Sequence, residues 1–448
     1  MSSQTQSSVI VRALFAAVVL TLAGCGAAAS APPAAPTAKP AATAVPAATA
    51  APAASGTVVW MVSGDNIEFD AYKRIAAAFE AANPRIKVDL VYIPASGDYR
   101  NRLDADIASG APADVVFMNY QRYAPFAAKN QLAPVGDYLA RSTVVKESDY
   151  YPAALNPLKW QGKTWCIPAN MSSAVIFYNK KLFDEAKTAY PKENWSWDEF
   201  VTSARAISHD DNRLGRIYGY GTEISLFRVA PYVWSAGGEI VDSADAPTKL
   251  TLDSDKAMTA IQRYIDLQVK YQAAPSAVAE KAEDSLTRFM NGKLGMYMDS
   301  RRVVALFRDT IKDSFDWDVV ALPSQGQTVS ILHSDAYCMP AGGKNKDAAW
   351  KLIEFAAGPQ GQTTMTQIGR LVPSLRAIAE SPVFLDPKVK PANSKVWLET
   401  PLRAVPINKN WPAIETAITK ELEKAYYGVQ PVKDAVQTAG KQTAELLK

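Results

Sequence analysis

Hydrophobic and polar residues follow two different periods along most of the chain. The stretches GTVVWMVSG and ADVVFMNY, which begin at Gly56 and Ala113, are continuous apolar runs of the kind that form buried strands. After the first run, a helix is predicted by apolar residues that recur at helical spacing, namely Phe69, Tyr72, Ile75 and Phe79. Strands that alternate with helices in this way predict a parallel sheet with helices on both faces.

The alternation continues towards the C-terminus. Ser196 and Glu199 have the spacing of a capping box and predict the start of a helix. The stretches LGMYM and FDWDVVALP predict two more strands, and WPAIETAITKELEKAYYG predicts a helix near the end of the chain. Residues 57–448 are too many for one ordinary hydrophobic core, so we expect two lobes.

The first 24 residues have the composition of a secretory leader. Arg12 supplies a basic start, and the apolar run at residues 13–21 is shorter than the ~20 residues that span a bilayer. The order Leu22-Ala23-Gly24-Cys25 resembles the bacterial lipobox, in which the cysteine becomes the acylated first residue of the mature chain. We therefore predict a lipoprotein signal peptide at residues 1–24 and lipidation of Cys25. The alternative is a removed signal peptide beside an incidental cysteine.

Residues 25–56 are predicted to form a tether rich in alanine, proline and threonine. Residues 26–56 contain no aromatic residue, no leucine and a single charge, at Lys39. Such a segment cannot bury enough apolar surface to offset the entropy lost on ordering. Because its scattered prolines keep it extended, we expect it to hold the rest of the chain away from a membrane surface.

Charge and candidate chemistry exclude several classes of protein. Of the 48 basic residues, Arg12 and Lys39 lie in the first 56 positions, so 46 basic residues oppose 45 acidic ones in the remainder. This balance gives no support for nucleic-acid binding. His209 and His333 stand outside any metal-ligand spacing, and the chain has no phosphate loop, dinucleotide fingerprint or nucleophile elbow. We expect no cofactor and no metal. A glycosidase pair of carboxylates stays open, because it depends on a separation that sequence does not give.

Many stretches of the chain occur in the order that one protein family shows. They are VVWMVSG, FEAANPRIKV, RLDADIASGAPADVVFM, FAAKNQLAPVGDYL, WQGKTWCIP, FYNKKLFDEA, WSWDEF, YGYG, WSAGGEIVD, FMNGKLGMYM and DAAWKLIEFAAGPQGQ. From Thr57 to the C-terminus the chain resembles the extracellular solute-binding proteins, family 1, the sugar-binding components of ABC importers. Maltose-binding protein is a distant relative within this resemblance.

The resemblance implies an α/β, two-lobed fold of the type II periplasmic-binding-protein kind, with a ligand cleft between the lobes. The hinge is expected to be crossed more than once, near Pro168–Ser172, His333–Tyr337 and Val372–Leu375. The N-terminal lobe is predicted at residues 57–170 and 333–374, and the C-terminal lobe at residues 171–332 and 375–448. The implied mechanism is hinge closure on a solute, followed by docking of a monomer on the transmembrane subunits of an ABC permease.

Ligand contacts are expected beyond the carboxyl ends of the strands. In the N-terminal lobe these are Ser63, Gly64, Asp65 and Asn66, and Asn119, Tyr120, Gln121 and Arg122. Asp65 either accepts hydrogen bonds from a sugar or caps the next helix. At the positions of Gln121 and Arg122, maltose-binding protein has a ligand-binding Asp-Arg pair. Gln121 takes the place of the aspartate and still offers a hydrogen-bond donor and an acceptor. The alternative for Arg122 is that it stabilises its own loop and does not contact a ligand.

In the C-terminal lobe, Trp234 beside Gly237 and Gly238 is interpreted as a stacking platform for a sugar ring, with a core tryptophan as the alternative. Arg301 and Arg302 stand where the family often has a glycine and then an aromatic residue. Two guanidiniums can grip a carboxylate or a phosphate, so a uronate or a glycerol-phosphate ester becomes an alternative to a neutral sugar. A solvated helix start is the other interpretation. The remaining predicted contacts are Asp299, His333 and Asp335.

The two other cysteines share a local pattern, TWCIPA at Cys166 and AYCMPA at Cys338. Each lies at the edge of a predicted hinge crossing, and the family fold implies that these segments run close together. A disulfide between them is therefore a hypothesis for a protein that works outside the cytoplasm. Two buried free thiols are the alternative.

The predicted function is the membrane-anchored solute-binding component of an ABC importer, without catalytic activity. It would capture a mono- or oligosaccharide or a related polyol at the extracytoplasmic face of a bacterial cell membrane. The alternatives are a binder of an anionic sugar or sugar phosphate and a lipid-anchored glycoside hydrolase.

Overall fold

The structure is a computed structural model that describes residues 54–448. The predicted signal peptide, Cys25 and the tether up to residue 53 lie outside the described residues. The strands are β1 (Gly56–Val62), β2 (Ile86–Tyr92), β3 (Val115–Asn119), β4 (Leu132–Ala133), β5 (Lys159–Trp160), β6 (Lys163–Thr164), β7 (Cys166–Pro168), β8 (Ser172–Ser173), β9 (Val175–Asn179), β10 (His209–Asp211), β11 (Gly215–Gly221), β12 (Leu294–Asp299), β13 (Trp317–Val320), β14 (Ser330–His333), β15 (Asp335–Pro340) and β16 (Leu402–Arg403).

The α-helices surround these strands. They are α1 (Asn66–Ala82), α2 (Ser96–Ala108), α3 (Ala124–Ala128), α4 (Gly136–Ala140), α5 (Pro152–Leu155), α6 (Lys180–Glu185), α7 (Trp197–Ile207), α8 (Leu226–Ser235), α9 (Asp255–Val269), α10 (Ala277–Ala282), α11 (Ser285–Met290), α12 (Val304–Ile311), α13 (Lys346–Ala356), α14 (Pro359–Gln367), α15 (Arg376–Ala379), α16 (Pro382–Leu385), α17 (Val396–Glu399), α18 (Trp411–Tyr426) and α19 (Val432–Thr443). Short 3₁₀ helices occur at Glu147–Asp149, Asn156–Leu158 and Arg301–Val303.

The first large sheet is mixed rather than parallel. Its strand order is β2-β1-β3-β15-β4, and β7 also pairs with β15. β1 runs parallel to β2 and β3, whereas β15 is antiparallel to β3, β4 and β7. The prediction of a purely parallel sheet is therefore wrong, because β15 returns from much later in the chain and enters the sheet in the opposite direction.

A second large sheet has the order β10-β11-β12-β9-β13, and a small three-stranded sheet has the order β16-β14-β8. The chain passes from β7 of the first sheet through β8 to β9 of the second, and it returns through β14 to β15. Asn170 forms an isolated bridge with Pro373, which brings the third predicted crossing segment beside the first. The residue bounds of the two lobes remain the prediction given above.

Each large sheet has its own buried core. Against the first sheet, α1 packs Tyr72, Ile75 and Phe79, three of the four residues that predicted this helix. Against the second sheet, Phe177 and Phe307 pack among the side chains of β9 and α12. A third buried cluster contains residues of both large sheets, among them Met61 of β1 and Met296 of β12, so the two lobes also share packed side chains. No helix within residues 54–448 has the length and apolar character needed to cross a membrane.

The capping box predicted at the start of α7 is confirmed. Ser196 Oγ accepts a hydrogen bond from the Glu199 N–H at 3.1 Å, and Glu199 Oε2 accepts one from the Ser196 N–H at 2.7 Å. The ring of Trp195, just before the cap, meets the ring of Phe200 edge-on at 5.5 Å. This contact is the hydrophobic staple that fixes how the chain enters the helix.

The structure joins Cys166 and Cys338 in a disulfide. The two residues face each other on the antiparallel strands β7 and β15, with their Cα atoms 4.4 Å apart, and both are fully buried. Both strands belong to the first sheet, so the bond ties together two segments next to the passages between the sheets without joining the sheets to each other. A disulfide in this place leaves relative motion of the two sheets free.

Removing this bond should destabilise the protein. The bond closes a loop with a sequence separation of 172 residues, so the Cys166→Ala/Cys338→Ala variant should lose about 2–4 kcal/mol of unfolding free energy. Urea denaturation of the variant and the native protein measures this loss. The bond itself is checked by alkylating the denatured, non-reduced native chain, since two labelled thiols would contradict it.

Candidate functional site

A cavity of about 870 Å³ opens beyond the carboxyl ends of β1, β3 and β12, beside the chain passages at β14 and β15. Ten of the predicted contact residues line it, and they come from both large sheets. They are Ser63, Gly64, Asp65, Asn119, Gln121, Arg122, Asp299, Arg302, His333 and Asp335. Residues predicted from the rule that ligands bind beyond the carboxyl ends of strands therefore share one cavity.

Trp234 is not part of this cavity, which corrects its interpretation as a stacking platform. Its side chain is 1% exposed, and the Arg403 guanidinium lies over its ring at 4.7 Å. Nearly all of α8 is apolar and buried, so Trp234, near its C-terminal end, packs in the core. Gly237 ends the helix with φ +75°, and Gly238 packs against the backbone of Ala257, so neither glycine reaches the cavity.

Three further predicted contacts also point elsewhere. Tyr120 is fully buried, and its hydroxyl accepts a hydrogen bond from the Val405 N–H at 3.1 Å. Asn66 is exposed at the start of α1, outside the cavity lining. Arg301 is buried with its guanidinium over the rings of Phe384 and Trp397, at 4.5 and 4.9 Å.

The opposite directions of Arg301 and Arg302 follow from the 3₁₀ helix that carries them. With three residues per turn, neighbouring side chains project about 120° apart, so Arg302 reaches the cavity while Arg301 enters the core. The Arg301 N–H donates to Ser172 Oγ at 3.0 Å, which fixes this turn to β8. The predicted pair of guanidiniums therefore does not form from these two residues.

The second sheet supplies a buried carboxylate between two arginines at the end of β12. Asp299 Oδ1 accepts hydrogen bonds from the Ser300 N–H at 2.6 Å and from Arg302 Nε at 2.9 Å. Its Oδ2 accepts from Arg302 Nη2 and from the Tyr297 hydroxyl, both at 2.9 Å, and lies 3.2 Å from Arg228 Nη2. Burial by itself would raise the pKa of Asp299, but Arg228 and Arg302 outweigh it and hold that pKa far below its usual range.

The first sheet supplies a second ion pair, between Glu68 of α1 and Arg370. Burial raises the pKa of Glu68, and Arg370 partly offsets this rise. Asp65 caps α1 by accepting a hydrogen bond from the Glu68 N–H at 2.9 Å, which confirms its interpretation as a cap, and it also lines the cavity. Gly64 has φ +137°, and a Cβ there would collide with the Glu68 carboxylate, so only glycine fits.

Two polar residues of the passages between the sheets form the floor of the cavity. Asp335 Oδ1 accepts a hydrogen bond from Asn119 Nδ2 at 3.2 Å, and its Oδ2 accepts from Asn170 Nδ2 at 3.1 Å. His333 Nδ1 lies 3.1 Å from Ser300 Oγ, and burial lowers the pKa of its imidazole. The floor therefore presents a fixed carboxylate and, at neutral pH, an uncharged imidazole.

Aromatic rings complete the lining; Phe227 and Phe126 are partly exposed, and Tyr99 is buried. Phe227, in the first turn of α8, meets the His333 ring edge-on at 5.5 Å and has the Arg228 guanidinium 5.0 Å from its centroid. Phe126 of α3 and Tyr99 of α2 lie on the side of the first sheet. Flat apolar rings beside fixed donors and acceptors suit a ligand that has both hydroxyl groups and apolar faces.

Sequence reasoning missed several of the charged residues in the cavity, above all Glu68, Arg228 and Arg370. For each of these residues the sequence contains a feature that could have pointed to it. Glu68 stands three residues after Asp65, the spacing of a capping box. Arg228 is a lone cation within the apolar stretch LFRVAPYVW, and Arg370 follows Gly369 directly after α14. A charged residue within an apolar run is seldom buried without a partner, which makes it a candidate site residue.

Two α/β lobes with a polar cavity between them, lined from both sides, form an arrangement that suits the binding of a small solute. A family model of bacterial extracellular solute-binding proteins matches residues 63–363. Since this match covers more than half of the chain, the chain belongs to that family.

Individual relatives agree with this assignment. A putative binding protein of Brucella abortus is 23% identical over 386 residues, covering 84% of this chain and 90% of the relative. The sn-glycerol-3-phosphate-binding periplasmic protein of Shigella dysenteriae is 22% identical over 406 residues, covering 84% and 88%. Among solved structures, an ABC substrate-binding protein of Listeria monocytogenes in complex with cycloalternan has a TM-score of 0.80 at 22% identity, covering 88% of this chain and 99% of that one. This likeness shows the two-lobed fold.

Proposed function

We propose that this protein captures a carbohydrate in the cavity between its lobes and delivers it, chemically unchanged, to the permease of an ABC importer. The observation that carries the proposal is the combination of fixed polar groups and apolar rings in one cavity. Asp335 offers carboxylate oxygens, Arg302 and Arg370 offer N–H groups held by carboxylates, and Phe227 offers an apolar face. Sugar hydroxyls both donate and accept hydrogen bonds, and sugar rings have apolar faces, so this lining matches them.

The ion pairs that Arg302 and Arg370 form with carboxylates of the protein before any ligand binds support carbohydrate recognition. A guanidinium that is already held by a carboxylate keeps its orientation without a ligand, so its remaining N–H groups are positioned in advance. The relatives also support the proposal, because the Listeria monocytogenes structure holds a carbohydrate and the Shigella dysenteriae protein is named for a phosphorylated polyol.

A thermal-shift screen over a panel of solutes tests the proposal. A ligand at a hundredfold excess over its Kd stabilises the folded state by about 2.7 kcal/mol, which raises the melting temperature measurably. We expect stabilisation by one or a few mono- or oligosaccharides. Stabilisation by amino acids or peptides alone would contradict the proposal, and breakdown of an oligosaccharide during incubation would favour a glycoside hydrolase instead.

We also propose that the mature protein is anchored by acylation of Cys25, since this residue follows the lipobox-like stretch Leu22-Ala23-Gly24. Cys25→Ala should move the protein from the membrane fraction to the soluble fraction, with ligand binding retained. Cell fractionation and intact-mass measurement check this. An unmodified amino terminus at another residue of the native protein would contradict the anchor.

A further inference from the structure

A second, much smaller void adjoins the ion pair of Glu68 and Arg370. Its volume is about 10 Å³, and Glu68, Arg370 and Phe117 line both this void and the ligand cavity. Its other lining residues come from α1, the first passage between the sheets, β15, α14 and the segment after α14. They are Tyr72, Ala169, Asn170, Tyr337, Met365 and Leu371. Segments that are far apart in the sequence therefore meet at this void.

The hydroxyl group of Tyr72 is buried beside the void and has no hydrogen-bond partner in the described part of the chain. The whole side chain is 0% exposed. Burial, with Tyr337 and Glu68 adding to it, raises the pKa of Tyr72 well above its usual range, so the hydroxyl keeps its proton and can donate a hydrogen bond. Because a buried donor without an acceptor is costly, folded proteins seldom leave one unpaired.

The void has the size and the polarity of a site for one water molecule. Measured as space open to the centre of a water-sized sphere, about 10–15 Å³ is enough to hold one water. Cavities that stay empty in proteins have apolar walls, whereas the hydroxyl of Tyr72, the carboxylate of Glu68 and the guanidinium of Arg370 belong to the wall of this one. A water molecule offers two donors and two acceptors to such groups.

We propose that one ordered water molecule is bound in this void, where it accepts a hydrogen bond from the Tyr72 hydroxyl and links it to the Glu68–Arg370 pair. The water joins α1 to the segment after α14, which leads into the passage near Val372–Leu375. The ion pair that lines the ligand cavity is thus supported on its far side before any solute enters. This inference holds for any solute, because the water belongs to the protein without its ligand.

A crystal structure of the protein grown without carbohydrate, at a resolution that shows ordered waters, tests the site directly. We expect density for one water within hydrogen-bond distance of the Tyr72 hydroxyl oxygen and of a polar atom of Glu68 or Arg370. A void without density, or a Tyr72 hydroxyl bonded directly to a protein group, overturns the inference. Density that appears only in crystals grown with a sugar also overturns it, since a ligand hydroxyl then fills the void.

Tyr72→Phe tests the same inference in solution through the direction of its effect on stability. If the hydroxyl donates to a bound water, the substitution removes a hydrogen bond and should lower the midpoint of urea denaturation. If the hydroxyl has no partner, its removal relieves an unpaired buried group and should leave the midpoint unchanged or raise it. An unchanged or raised midpoint therefore overturns the inference.

Tyr150→Phe is the matched control. Tyr150 is buried in the same core as Tyr72, its hydroxyl donates to the Ala357 carbonyl oxygen at 3.1 Å, and it does not line the void. This variant gives the loss that follows from removing one buried tyrosine hydroxyl that has a partner. Because a bridging water is nearly as good a partner as a carbonyl group, Tyr72→Phe should lower the urea midpoint by a comparable amount. Circular dichroism verifies that both variants are folded.

Discussion

Replacing Asp299 with asparagine is expected to lower the free energy of unfolding by about 3–5 kcal/mol. The substitution keeps the shape of the side chain but removes the charge that holds Arg228 and Arg302. Arg228 is almost completely buried, so it would remain as a charged guanidinium without a counter-ion. Urea denaturation of the native protein and the variant measures the loss.

The effect of pH on this difference in unfolding free energy follows from the lowered pKa of Asp299. Because the pKa of Asp299 is lowered in the folded state, its contribution is complete above its unfolded-state pKa of about 4. It is lost only as the pH falls towards the lower folded-state pKa. The stability difference between the native protein and Asp299→Asn should therefore be constant from about pH 8 to pH 5 and should narrow only below about pH 4.

Asp316→Asn is the matched control for this experiment. Asp316 also lies between two cations, Lys180 at 2.8 Å and Lys390 at 3.0 Å, but its side chain is half exposed. Exposed ion pairs contribute about 0–1 kcal/mol, so this variant should lose less than about 1 kcal/mol. An equal loss of unfolding free energy in the two variants would contradict burial as the cause of the large effect of Asp299→Asn.

Trp234→Ala should cost about 3–5 kcal/mol of stability and leave ligand affinity unchanged. Trp234 fills space in the core beneath α8 and does not reach the cavity, so its removal leaves a void without removing a ligand contact. Denaturant unfolding and ligand titration on the same sample separate the two effects.

Phe227→Ala on the same helix is the counterpart of Trp234→Ala. Phe227 lines the cavity and is only partly buried, so its removal should weaken carbohydrate binding by about 0.5–1.5 kcal/mol or more and should cost less stability. The reverse pattern, with affinity lost in Trp234→Ala and kept in Phe227→Ala, would return Trp234 to the ligand site.

Local patterns along the chain were sufficient to predict several strands, the start of α7 and part of the cavity lining. The strand of Gly56–Val62, the capping box of Ser196 and the lining residues directly after β1 and β3 follow from apolar runs and from what stands beside them. These features are local in sequence because one strand end or one helix turn determines them. The other lining residues were predicted through the family resemblance, namely Asp299, Arg302, His333 and Asp335.

The features that were missed depend on contacts between distant parts of the chain. Asp299 and Arg302 are neighbours in sequence, but Arg228 joins them only through the packing of α8 against the second sheet. Trp234 beside a double glycine has the local composition of a ligand platform, and only the packing of the whole helix shows that it faces the core. The antiparallel entry of β15 likewise depends on the return of the chain from the second sheet.

The position of β15 between β3 and β4 has a consequence for export of the chain. Asp335 faces Asn119 across 216 positions of sequence, so the first sheet stays incomplete until β15, which ends at Pro340 in a chain of 448 residues, has crossed the membrane. During that interval β3 presents a free edge, and a free edge is a template for pairing with another chain. A polypeptide that emerges amino terminus first would need a holding chaperone at this edge, and a copy truncated before Asp335 would aggregate through it rather than fold.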